Sequence, residues 1–174
     1  NGDGNVIDLL VVYTAGARAM EGAGAADDVA TKVATAVADT NLCFRNSRVD
    51  VSLRLVHLQE VDYKGTTNLS TDLNRLTEKE DGYLDEVHDL RDQYGADLVT
   101  LLVAEGNATV GGLANTMNYP SHGFEESAFN VMRIQQIAAP SYTLAHEIGH
   151  NMGCLHNRED AKGSGIPYTD PSNT

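Results

Sequence analysis

Residues 146–156 read His-Glu-Ile-Gly-His-Asn-Met-Gly-Cys-Leu-His, and this segment narrows the possible folds more than any other part of the chain. On an α-helix, positions i and i+4 lie one turn apart on the same face, about 6 Å along the axis, so His146 and His150 stack there. Two imidazoles so placed can converge on one zinc ion at the usual Zn–N distance of about 2.0–2.1 Å. Glu147 is turned roughly 100° away and misses the metal, but it reaches the space beside it, where a general base belongs. A helix continued to His156 would carry that residue about 9 Å past His150 and off the shared face. Gly153 tolerates left-handed backbone, so it is the expected stop and turn that brings His156 back. Three histidines with a fourth position open describe a catalytic rather than a structural zinc site. A bare His-Glu-x-x-His is a common solvated helix face, but a further Gly and His at fixed offsets make coincidence a poor account.

The rest of the chain alternates strand and helix patterns. Residues 6–12 (VIDLLVV) are a short apolar run whose length and valines favour a buried strand. Val29, Val33, Ala36, Val37, Thr40, Cys43 and Phe44 recur at helical spacing, which predicts an amphipathic helix over 26–46. Val49, Val51, Leu53 and Leu55 alternate with polar residues, as in a strand with one buried face. Residues 69–94 read as one or two helices broken near Asp81-Gly82, and Gly95 caps the end. Residues 97–104 are another buried strand, 109–117 and 128–134 weaker strand candidates, and 118–123 an exposed loop. The last helix begins near Ser141. With no internal repeat or low-complexity linker, this pattern predicts one α/β domain with a mixed sheet.

Twenty-five acids against twelve bases leave a net charge of −13, which argues against nucleic acid or an anionic membrane surface as partner. There is no apolar run long enough for a membrane helix and no leader-like start, so the chain reads as a mature or trimmed product. Cys43 and Cys154 are too few for a disulfide scaffold. They can bridge, which would contribute about 4–5 kcal/mol in the chain-entropy model, or remain two buried thiols.

The segment His146, Glu147, His150, Gly153 and His156 matches the HExxHxxGxxH pattern, and here the chain resembles the metzincin clan of zinc metallopeptidases. The wording HEIGHNMG resembles its reprolysin-like (adamalysin-type) branch. The segments IDLLVVYT, ADTNLCFRNSRVDVSLRLVHLQEVDY and DGYLDEVHDLRDQYGADLVTLLV look like secreted bacterial members of that branch, those of the peptidyl-Asp metalloendopeptidase type included. The likeness covers residues 5–158. It implies an α/β (α+β) fold, with a mixed, mostly parallel five-stranded twisted sheet and two long helices, the second carrying the histidines. It implies a secreted, zinc-dependent endopeptidase, expected to be a monomer, with one catalytic zinc on His146, His150 and His156 and Glu147 as base. Its substrate would be an extended peptide or protein. An edge strand near Gly111, Gly112, Leu113 and Ala114 is implied to hold that peptide by β-augmentation. Residues 1–152 would form the upper, catalytic subdomain and 153–174 the start of a lower one. The rival reading is a catalytically impaired fragment or pseudo-protease that binds zinc and serves as a binding module.

Two departures from the family stand out. Metzincins carry a methionine turn after the third histidine, whereas Met20, Met117, Met132 and Met152 all precede His156, so the chain is expected to be cut before that turn. Close relatives often carry a cysteine pair near the Gly111 strand and before the active helix, and neither position is cysteine here. His57, His88 and His122 are expected to be surface or packing residues, His122 in a loop that could flank the cleft. Asn1-Gly2-Asp3-Gly4-Asn5 looks like part of a calcium loop but lacks the spacing and the distal glutamate. The acidic cluster Glu78, Glu80, Asp81, Asp85, Glu86, Asp89 and Asp92 is expected to be a solvated helix face, so calcium is unsupported. The acids after His150 are Glu159, Asp160 and Asp170, which leaves no glutamate at the spacing a gluzincin needs.

Overall fold

The computed structural model describes residues 5–22, 26–106 and 110–156. Strand β1 (Val6–Thr14) leads directly into helix α1 (Ala15–Glu21), whose first turn is capped by the Thr14 hydroxyl accepting from the Ala17 N–H at 3.0 Å. There follow α2 (Ala26–Asn46), β2 (Ser52–Val61), α3 (Leu69–Thr77), α4 (Asp85–Tyr94), β3 (Leu98–Val103), β4 (Gly112–Ala114), β5 (Phe129–Arg133) and α5 (Thr143–Asn151). Short 3-10 turns occupy His122–Ser127 and Ile134–Gln136. The strands form one sheet of order β2-β1-β3-β5-β4, parallel except for β4, which pairs antiparallel with β5 at the edge. This is the mixed, mostly parallel five-stranded sheet expected of the fold.

Strands buried on both faces read as nearly continuous apolar runs, because both sets of alternate side chains need apolar cover. In β1, Leu9, Val11 and Tyr13 face one side, with Val29, Val33 and Ala36 of α2 and Leu144 and Ile148 of α5. Leu10 and Val12 face the other, with Leu69, Leu73 and Leu76 of α3 and Val87 of α4. Helix α2 is 21 residues long and α5 nine. The sheet therefore separates α5 from α3.

The structure differs from the sequence pattern at two strands. Residues 49–51 do not join β2, because the end of α2 unwinds there: Val49 N–H donates to Phe44 O, Arg48 has φ 57°, and Val49 is 37% exposed. Strand β2 starts where Ser52 pairs with Val6 and continues to Val61 opposite Thr14. A register shift between Leu9 and Leu10 skips Val56, which breaks the two-residue alternation and conceals the second half of the strand from pattern reading. The candidate strand at 109–117 contracts to β4. Beyond it the Asn115 N–H donates to Phe129 O and the Met117 N–H to His150 O, so the chain leaves the sheet for the end of α5.

Cys43 and Cys154 are both free, so the bridge left open by the sequence is not made. Cys43 is half-buried on α2, whereas Cys154 is exposed in the turn after α5 and faces Gly149, so neither is a fully buried thiol. His57 stacks on Tyr94 with ring centres 3.8 Å apart, and His88 is buried edge-on against Phe129 at 5.3 Å. The acidic residues of the α3–α4 region singled out above are all exposed. Residues 1–4 of the calcium-like segment, Thr109, and Glu159, Asp160 and Asp170 lie outside the described residues.

Candidate active site

Helix α5 is fastened to the sheet by its apolar pair Leu144 and Ile148, 2% and 0% exposed. Residues His146 and His150, spaced four apart, then share a flank of the helix that opens to solvent. Met152 follows the last turn, and Gly153 has φ 91°, left-handed backbone in which a side chain would be strained. A Cβ there would also come 3.0 Å from the Met117 carbonyl oxygen. The turn brings the Cys154 carbonyl within 2.7 Å of His150 Nδ1 and carries His156 back over α5.

The three Nε2 atoms converge: His146 and His150 are 3.2 Å apart, and His156 is 3.1 Å from each. A carbonyl oxygen only accepts, so His150 Nδ1 carries the proton and Nε2 of the neutral ring offers a lone pair to the centre. A tetrahedral zinc with Zn–N of about 2.0–2.1 Å would hold its nitrogens about 3.3–3.4 Å apart, so this donor set fits that ion. Burial, followed by the charges of His150 and His156, holds the His146 imidazole below its usual pKa, which favours the neutral, ligating form. Among the described residues this is the group of side chains able to hold a metal.

Glu147 lies on the adjacent flank of α5, only 4% exposed, packed beneath the start of β4. A Cβ on Gly112 would come 2.7 Å from Glu147 Oε1 and 2.8 Å from Thr143 Cγ2, so the edge strand can lie this close only as glycine. Gly111, just before β4, presses on Gln136 and Thr143, and its carbonyl accepts from the Arg133 N–H. Burial pushes the Glu147 carboxyl up to about 7. A cleft of about 410 Å³ runs between β4 and α5, lined by Gly111, Gly112, Leu113 and Ala114 on one side and by Thr143, Glu147 and the three histidines on the other. The structure thus brings the sequence-predicted site residues together, while His122 does not line the cleft.

Three residues escaped the pattern reading. Thr100, Asn130 and Asn151 are buried polar side chains joined in series: Thr100 Oγ1 donates to Asn130 Oδ1 at 2.7 Å, and Asn130 Nδ2 to Asn151 Oδ1 at 2.8 Å. For Thr100 and Asn130 the only signal in the sequence is a polar residue inside each apolar run, LVTLLV and FNVMR, and for Asn151 it is a place directly after His150. Such residues must find partners when buried, but the pattern does not say which.

Comparison with known proteins gives the same answer as the geometry. The model of metallo-peptidase family M12 (Reprolysin_5) matches residues 3–174. The chain is similar to the peptidyl-Asp metalloendopeptidase of Stenotrophomonas maltophilia (strain R551-3), 32% identical over 87% of this chain and 34% of that one. It is also similar to the protein of that name from Pseudomonas aeruginosa, 30% identical over 95% of this chain and 27% of the relative. The chain therefore spans about a third of the length of these curated relatives. In fold it resembles a chain in a structure of a chaperone-substrate complex, with a TM-score of 0.69 and 22% identity over 88% of this chain and 27% of the other. With the motif, the sheet and the family match in agreement, the chain belongs to metallo-peptidase family M12.

Proposed function

We propose that this chain is the catalytic part of a secreted, zinc-dependent endopeptidase. The observation that carries the reading is the pairing of two features in one cleft: three histidine Nε2 atoms 3.1–3.2 Å apart, and a buried carboxyl, Glu147, on the neighbouring flank of the same helix. His146, His150 and His156 would hold the metal. Zinc, when bound, supplies Lewis acidity, polarising a carbonyl and making water more acidic. Glu147 receives a proton from the attacking water on its carboxylate, holds it, and delivers it to the departing amine.

The backbone of Gly112–Ala114 is at the sheet edge, open on one side to pair with an extended peptide. Its β4 geometry would lay the scissile bond across the cleft beside Glu147. Residues 1–152 would then form the catalytic upper unit and 153–174 begin the lower one. The relatives' name points to cleavage beside aspartate; among the described residues the cleft lining has no Lys or Arg, so choice of an acidic side chain is assigned to none of them. No described helix is long and apolar enough to cross a membrane.

The test is mass-spectrometric cleavage of an unstructured peptide library, with a chelator and Glu147→Ala as controls. Cuts that vanish in both controls establish the activity. No cuts, with zinc bound one to one, would replace this reading with that of a zinc-binding module.

A further inference from the structure

We propose that Asn130 is a positioning residue for the histidine cluster: through Asn151 it sets where the last turn of α5 holds His150. The inference rests on the zinc reading above and adds a residue outside the motif.

The apolar contacts of α5 do not by themselves settle its placement to the precision a metal site needs. Leu144 and Ile148 pack among aliphatic side chains, including Met132, Ile134 and Ile137, which can yield to small slides of a helix. Ligands must be held within about 0.5 Å. A hydrogen-bond chain is directional where apolar packing is not, and here one runs from the middle of the sheet to the residue after His150. Asn130 is fully buried in β5 on the face toward α5. Its Oδ1 takes the Thr100 hydroxyl at 2.7 Å, which leaves its Nδ2 as the donor to Asn151 Oδ1 at 2.8 Å. That contact fixes which end of the Asn151 amide faces the sheet. The Asn151 Nδ2 then donates to Asn115 O at 2.8 Å and to Phe129 O at 3.1 Å.

Three segments therefore meet at the Asn151 side chain, namely β5, the strand leaving β4 and the end of α5, and Asn130 links them on to β3. The Met117 N–H adds a bond to the His150 carbonyl at 3.1 Å, so the same strand holds the helix at His150 and at the residue after it. The donors all run in one sense, from Thr100 outward, and each bond polarises the next. An apolar core of equal volume could serve stability as well, so what this chain adds here is placement. Outer contacts that orient metal ligands typically alter affinity or activity about 10- to 100-fold when removed.

The experiment measures zinc affinity by chelator competition, alongside kcat and KM, for wild type, Asn130→Leu, Thr100→Val and Val87→Ala. Val87 lies in the α4 core on the opposite face of the sheet from α5, fully buried, and serves as the variant that loses stability alone. Positioning predicts zinc held at least tenfold more weakly in Asn130→Leu, with kcat lowered and KM within twofold. Thr100→Val keeps shape and removes only the far end of the chain, so it should weaken zinc about threefold. Val87→Ala should lose thermal stability and keep its zinc affinity. Wild-type affinity in both Thr100→Val and Asn130→Leu overturns the proposal, as does a loss in Val87→Ala equal to theirs. If Asn130→Leu does not fold, parity of Thr100→Val with wild type is sufficient to overturn it. A wild-type chain that binds no zinc would instead defeat the zinc reading itself.

Discussion

Two clusters of polar side chains lie on opposite faces of the sheet, and they are built on opposite terms. Beside α3, Asp72 is fully buried, and its carboxylate accepts from Tyr63 Oη at 2.6 Å and from the Thr66 N–H at 2.9 and 3.2 Å. Burial and then the hydrogen bond to Asp72 push Tyr63 up to about 12, so it stays a donor at any ordinary pH. Beside α5, three imidazoles instead aim their nitrogens at one another, and Glu147 is desolvated with no such set of donors to hold its charge. The first cluster answers every demand that burial makes and so ties the loop after β2 to α3. The second sets a carboxyl raised by burial beside three converging nitrogens that open to solvent, the arrangement that marks a candidate reactive site. A polar group that is buried and matched reads as architecture. One that converges with others on an open cleft beside a raised carboxyl reads as chemistry.

That contrast makes graded predictions. The largest concerns Glu147→Gln, which should lower peptide hydrolysis about a hundred- to ten-thousandfold with zinc still bound, measured as kcat alongside metal content. Near-normal turnover in that variant would remove Glu147 from the chemistry. Asp72→Ala should do the converse: denaturant titration should show a loss of about 3 kcal/mol, from the unmatched Tyr63 and Thr66 donors, with zinc affinity unchanged. A shift in zinc affinity there would mean that the two faces are coupled.

The third effect is a pH dependence in metal-free protein. The Glu147 carboxyl is raised from its usual 4.5 to about 7, so folded protein favours its neutral form. Its contribution is intact below about 4.5, falls as pH rises through 7, and costs on the order of 2–3 kcal/mol above that. Glu147→Gln stays neutral, so it should be the more stable protein at pH 8.5 and equal to wild type at pH 4.5. Equal stability at both would show that the carboxyl is better solvated than the packing of β4 suggests. The smallest effect lies at His88, held below its usual pKa of 6.5, first by burial and then by Lys79. A folded pKa below the unfolded one means that acid favours unfolding, so stability should decline as pH falls below about 6.5. His88→Phe should abolish that part of the slope in urea titrations between pH 5 and 7.

Much of this was legible before any fold was known. The helix at 26–46, the break at Asp81-Gly82, the cap at Gly95 and the two-faced strands appear where their local periods put them. Those signals depend on neighbours within one turn or one strand, which a linear pattern preserves. The second half of β2 was hidden by the slip at Val56, since a single skipped residue reverses which side chains face in. Asn130 and Thr100 were hidden for a different reason: their pairing joins residues 30 positions apart and appears only once β3 and β5 lie side by side.

The sequence by itself determined the metal-binding motif, the helix that carries it and the turn at Gly153, because each follows from spacing along one segment. The tertiary structure alone decided that Gly112 would cover Glu147, that the two cysteines would stay apart, and that a hydrogen-bond chain would reach from β3 to the end of α5. Each of those depends on the register of one element against another, and that register is set by the packing of the whole sheet rather than by any stretch of residues within it.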